Sequence, residues 1–346
     1  MPVAKGTILV TGANGGLGSA IAEQIASKAE LSAYHGLYTV RDAGHAPALS
    51  SALAHGTAHS YDVLALDLTK LDGVRKVAEE INRRVSEGEI PPIRALVLNA
   101  GFQDFGNQSW TDDGLDTTFA ANYLGHWLLT LLLLGSVDKE AGRIIIIGSQ
   151  GHNPDDPRNA RTRAFDDPRY KTFVPDAAGF HAIARGAWSP AIDGEGWRGG
   201  YRRYGASKLF LVMMQHELQA RLDAGTARRI CALGVDPGTL STGMQRLAPW
   251  FIRVLLFKVI YPLILFFNPD TNVLRTPARS AGDVLEAAFG TVGEGGKPPR
   301  DLYFDGRVLV ETGEESRDAA KRALVWAETA KLAGLKDGET VLENWR

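Results

Sequence analysis

A chain of 346 residues with 45% hydrophobic and 23% charged side chains has ordinary globular composition, and it is long enough for one large α/β domain. A formal charge of -2 gives no electrostatic basis for holding nucleic acid. The single cysteine, Cys231, excludes an internal disulfide and lies in an apolar run that reads as a buried strand.

Taken in chain order, 7–10 reads as a strand running into a glycine-rich turn, and 17–29 as a helix with small and apolar residues at helical spacing. Further strands are expected near 37–40, 61–66, 95–98, 143–147 and 230–235. Helices are expected over 71–85, 112–134 and 201–223. Strands apolar throughout, alternating with helices, predict a doubly wound parallel sheet covered on both faces. Ligands of such sheets bind beyond the carboxyl ends of the strands, so the residues just after each strand are the ones to read.

Two stretches break the alternation. Residues 151–200 are rich in Pro, Gly, Asp and Arg and read as a long surface insertion. Residues 249–267 are strongly apolar but interrupted by Arg253, Lys258 and Pro262, and are short for a bilayer span. The first residues lead straight into a strand, and the last four, Glu-Asn-Trp-Arg, carry no lipidation or peroxisomal signal. A cytoplasmic protein is expected.

Thr11-Gly-Ala-Asn-Gly-Gly-Leu-Gly18 joins the first strand to the first helix. Glycines there let backbone amides approach a pyrophosphate, and the helix N-terminus adds partial positive charge. After the second strand, Arg41 precedes Asp42. An arginine at that point accepts a 2′-phosphate, so NADP(H) is expected over NAD(H). Tyr204 and Lys208 lie four residues apart on a helix and share a face. Tyrosine ionises near pH 10, so a neighbouring ammonium is expected to draw the phenol toward the working range of an acid-base catalyst. The histidines show no metal-ligand spacing, and His126 reads as a packing residue.

These motifs together resemble the short-chain dehydrogenase/reductase family, which implies a single Rossmann domain over 1–346. Thr11, Gly12, Gly16 and Gly18 match its T-G-x-x-x-G-x-G turn, with Asn14 and Leu17 inside it. Asp67 and Leu68 match the pair that contacts the adenine, and Asn99, Ala100 and Gly101 match its N-A-G motif. Asn122, Ser149, Tyr204 and Lys208 fall where its catalytic tetrad falls. Pro237, Gly238 and Thr242 match the segment whose threonine holds the nicotinamide amide. The resemblance implies that Tyr204 moves the proton, Lys208 lowers its pKa and binds the nicotinamide ribose, Ser149 bonds the substrate oxygen, and Asn122 holds a water for Lys208. Hydride transfer is direct, with no metal.

Ser149 and Tyr204 are 55 positions apart, far more than is usual in the family. Long inserts here, with the tail over 312–346, resemble the retinol-dehydrogenase and protochlorophyllide-reductase branch. Region 243–280 falls where a substrate lid is expected, and its apolar character implies a hydrophobic small-molecule substrate. Peripheral membrane contact through 249–267 is the competing expectation for that run. A homo-oligomer is compatible with the family. Ketone or aldehyde reduction, or the reverse alcohol oxidation, is the expected activity. The alternatives are C=C reduction and a non-catalytic dinucleotide-sensing scaffold.

Overall fold

The computed structural model describes residues 4–54, 59–240, 274–290 and 299–346. Its strands in chain order are β1 (Thr7–Thr11), β2 (His35–Val40), β3 (Tyr61–Ala65), β4 (Ile93–Leu98), β5 (Arg143–Ile147), β6 (Cys231–Asp236), β7 (Thr239–Leu240), β8 (Leu274–Arg275), β9 (Tyr303–Asp305) and β10 (Val308–Leu309). Eight of them form one sheet in the order β10-β9-β6-β5-β4-β1-β2-β3, and β7 pairs separately with β8. Every neighbouring pair in the large sheet is parallel except β9 with β10. The order reverses between β1 and β4, which opens a crevice at their carboxyl ends.

Alternation along each strand supplies two cores. Ile8, Val10, Ile145 and Ile147 face helices Gly16–Ser27, Pro47–Leu53 and Pro277–Phe289. Leu9, Ile144 and Ile146 face helices Leu71–Ser86, Gly125–Leu133, Gly196–Ala224 and Ala319–Ala333. The six strands expected from the sequence are all present. The helix expected from 112 starts later, at Thr117, because Gly114 takes φ +72° and the Asp116 carboxylate caps the N–H groups of Thr118 and Phe119.

The insertion over 151–200 differs from the expected surface excursion. Phe165, Phe173, Phe180 and Ile183 are buried in the second core, and Phe180 packs against Phe210 of helix Gly196–Ala224 with ring centroids 5.4 Å apart. The tail holds it in place: the Glu315 carboxylate accepts the N–H groups of Phe173 and Val174, both at 2.9 Å. An aperiodic segment can be core when it contributes isolated aromatic side chains, which hydrophobic periodicity does not register. The apolar run 249–267, with Trp250, and most of region 243–280 lie outside the described residues.

Candidate active site

The cofactor side is built on close backbone approaches. Gly12 has φ +65°, and a methyl group on it would come within 2.8 Å of the Ala100 Cα. A methyl on Gly18 would lie 2.4 Å from the Gly12 carbonyl oxygen. Helix Gly16–Ser27, with Leu17 buried in its first turn, has no side-chain cap and no acidic residue there. Its N-terminus can therefore hold an anion such as a pyrophosphate. The Asn14 side chain caps another helix, its Oδ1 accepting the N–H groups of Ala48 and Leu49.

Arg41 is exposed at the end of β2, while Asp42 uses Oδ1 to accept the Gly44 N–H and so closes its own turn. Asp67 is exposed and accepts both the N–H and the hydroxyl of Thr69. Leu68 is buried, with its carbonyl oxygen 2.2 Å from where a methyl on Gly125 would be. Asn99 and Ala100 donate their N–H groups to Thr11 Oγ1 at 2.9 and 3.0 Å, and the Asn99 amide donates to the Thr11 carbonyl. Gly101 faces Asn122 and Lys208: a methyl there would lie 3.3 Å from Asn122 Oδ1 and 3.9 Å from Lys208 Nζ. Pro237 and Gly238 turn the chain after β6, with Gly238 at φ +73°. Thr242 lies outside the described residues.

Tyr204 and Lys208 come from helix Gly196–Ala224, Ser149 from the end of β5, and Asn122 from a single wide π-turn, Ala120–Leu124. The Ser149 side chain favours the phenolate form of Tyr204. Lys208 Nζ donates to the Ile147 carbonyl at 2.7 Å and lies 5.6 Å from the Tyr204 ring centroid. Gly205 permits helix Gly196–Ala224 to close on the start of the insertion, since a methyl there would meet the Gly151 carbonyl oxygen at 2.5 Å. The structure thus brings together all four tetrad positions.

One expectation about their chemistry needs correction. Tyr204 is not drawn below its ordinary value: burial pushes it up to about 12, the Ser149 side chain opposes this, and the Asp236 carboxylate adds to it. Lys208 is itself lowered to about 8 by burial, with Asp236 acting in the other direction. Desolvation is the largest cause for both groups. The Asn122 side chain is engaged within the protein. Its amide donates to the Phe102 carbonyl and to Ser207 Oγ, and its Oδ1 accepts the Phe102 N–H.

Several residues of the site carried no sequence motif. Tyr303 of β9 accepts the Ser149 N–H at 3.1 Å. Asp236, at the tip of β6, is 3% exposed, and burial raises its pKa while Arg158 of the insertion, 3.3 Å away, opposes that. Arg158 also bonds Asp156 and Asp305, and Arg275 reaches the Asp236 carbonyl and Asp305. A carboxylate closing an otherwise apolar strand was the available sign of this cluster. His152 donates from Nδ1 to the Ser149 carbonyl and accepts the Gly313 N–H on Nε2, tying the insertion to the tail. His126, expected as packing, is fully buried and hydrogen-bonded through both ring nitrogens.

A doubly wound sheet with Ser, Tyr and Lys gathered at its strand ends beside a glycine-rich turn defines an oxidoreductase-type site. The short chain dehydrogenase family profile matches residues 6–158. The chain is 38% identical to the short-chain dehydrogenase iccH of Talaromyces variabilis, over 99% of each protein. It is 29% identical to the chloroplastic protochlorophyllide reductase of Daucus carota, over 96% of this chain and 79% of that one. The structure of NADPH-bound carbonyl reductase from chicken fatty liver shares the fold, with a TM-score of 0.57 at 15% identity, covering 89% of this chain and 100% of that one. The chain belongs to the short-chain dehydrogenase/reductase family of oxidoreductases and falls near its protochlorophyllide-reductase-like branch.

Proposed function

We propose that the chain reduces a ketone or aldehyde on a hydrophobic small molecule, using NADPH, with Tyr204 as the proton donor. The observation that carries this reading is the convergence of Ser149, Tyr204 and Lys208 at the strand ends, with Lys208 Nζ fixed on the Ile147 carbonyl at 2.7 Å and 5.6 Å from the Tyr204 ring centroid. Burial favours the protonated phenol. A phenol that holds its proton is the form that reduction requires. Bound NADPH would supply the hydride. Ser149 then donates a hydrogen bond to the substrate oxygen, and Tyr204 delivers its proton to that same oxygen. The Lys208 ammonium, fixed on the Ile147 carbonyl, stabilises the phenolate left behind.

Preference for NADPH is supported by Arg41, exposed after β2, and by the self-capped Asp42 carboxylate beside it. The full-length similarity to protochlorophyllide reductase favours C=C reduction as a second reading. Both readings are tested by following NADPH absorbance with decanal, with a panel of lipophilic aryl ketones, and with conjugated enones, then repeating with NADH. Alcohols from decanal and the aryl ketones, and allylic alcohols from the enones, with a lower KM for NADPH than for NADH, support the main reading. Reduction of enones alone would replace it with the second, and a preference for NADH would remove the role of Arg41.

A further inference from the structure

His126 touches neither the substrate-facing tyrosine nor the glycines of the turn, yet it links the two halves of the site. Its Nδ1 lies 2.9 Å from the Asn122 carbonyl oxygen, and its Nε2 lies 2.9 Å from Thr11 Oγ1. A carbonyl only accepts, so Nδ1 carries the proton and Nε2 is the acceptor. Thr11 Oγ1 already accepts the N–H groups of Asn99 and Ala100, and its hydroxyl hydrogen has two acceptors within reach, the Val97 carbonyl at 3.4 Å and the nearer His126 Nε2 at 2.9 Å. With the proton on Nδ1 both ring nitrogens of His126 have partners, and the neutral ring fits in only one tautomer. The wide π-turn holding Asn122 thereby gains a side-chain donor on its carbonyl, four residues back along the helix.

We infer that neutral, Nδ1-protonated His126 is a positioning residue with two separable jobs: it orients the Asn122 turn for catalysis through Nδ1, and it holds Thr11 and the N-A-G loop for the cofactor through Nε2. Complete burial pushes the imidazole down to about 4, and the Lys208 charge acts in the same direction, so the ring is neutral throughout the working range. This inference rests on the proposed reductase reading for its catalytic half only.

The two jobs separate by substitution. His126→Asn places an amide N–H near the position of Nδ1 and has nothing at Nε2. His126→Gln places an acceptor near Nε2 and loses the short reach to Asn122. His126→Phe keeps a ring and loses both bonds. Expected are a kcat with decanal close to wild type and NADPH affinity about tenfold weaker for His126→Asn. The reverse is expected for His126→Gln, and both defects for His126→Phe. NADPH affinity is read by fluorescence titration without turnover. Parallel loss of kcat and affinity in Asn and Gln variants, tracking Tm, would show a merely structural histidine and overturn the inference. ¹⁵N-histidine NMR of the wild-type chain gives a readout independent of any substrate. A protonated Nδ1 and bare Nε2 from pH 8 to 5 are expected, and an Nε2–H tautomer or a titration near pH 6.5 would overturn it. Failure of wild-type protein to reduce decanal with that NMR signature intact would count against the proposed function instead.

Discussion

Arg203 is the residue just before Tyr204, and it is nearly inaccessible. Its guanidinium makes two hydrogen bonds of 2.8 Å to the Asp104 carboxylate, lies 3.8 Å from Asp116, and also donates to the Ser189 carbonyl of the insertion. Asp104 and Asp116 are 2% and 1% exposed. Arg203→Met keeps most of the aliphatic packing but leaves two buried carboxylates without their cation. Breaking a buried pair from one side costs about 3–5 kcal/mol. At about 2.1 cal/mol/K of unfolding entropy per residue, the 346 residues lose about 4–7 °C of Tm for that cost. Calorimetric Tm at pH 8 and pH 5 is the assay. Burial already pushes the Asp116 carboxyl up and Arg203 opposes this, so without the cation Asp116 takes up a proton more readily and the deficit narrows as pH falls. Adding Asp104→Asn to Arg203→Met removes one of the stranded charges and recovers part of the loss. A single variant within about 1 kcal/mol of wild type, or a deficit unchanged between the two pH values, would refute this account of the pair.

Acid should destabilise the fold in a defined window. His126 and His152 are both held near 4 by burial, against 6.5 when unfolded, so the unfolded chain binds protons there that the folded chain does not. Stability should be unaffected by these groups above pH 6.5 and fall progressively toward pH 4, by on the order of 3 kcal/mol for each histidine. Denaturant titrations across pH 4–7 check this, and a stability independent of pH over that range would contradict it. Gly18→Ala should weaken NADPH binding by at least about tenfold, since the added methyl meets the Gly12 carbonyl oxygen and Asn99 Nδ2, at 2.4 and 2.8 Å. Fluorescence titration giving wild-type affinity would show that the turn relaxes freely.

The doubly wound sheet was legible because its inner strands are continuous apolar runs, such as Ile144–Ile147, and because glycine, N-A-G and P-G turns punctuate their carboxyl ends. The tetrad was legible from Y-x-x-x-K only in company with Ser149 and Asn122. Long-range electrostatics were not legible. Arg158, Asp236 and Asp305 meet from three distant parts of the chain, and nothing in local pattern pairs them. The direction of the Tyr204 shift was missed for the same reason: spacing reveals a neighbouring lysine but not the burial of both groups. His126 read as packing because its partners, Thr11 and the Asn122 carbonyl, are a distant hydroxyl and a backbone atom.

The central claim is that Tyr204 carries the proton and is not needed to hold the cofactor. Tyr204→Phe removes only the hydroxyl from a side chain that is 7% exposed and stacked on Tyr201. Measured side by side, NADPH affinity should stay within about threefold of wild type while carbonyl reduction falls by at least about a thousandfold. A variant that binds NADPH normally and still reduces its substrate at a substantial fraction of the wild-type rate would contradict the assignment.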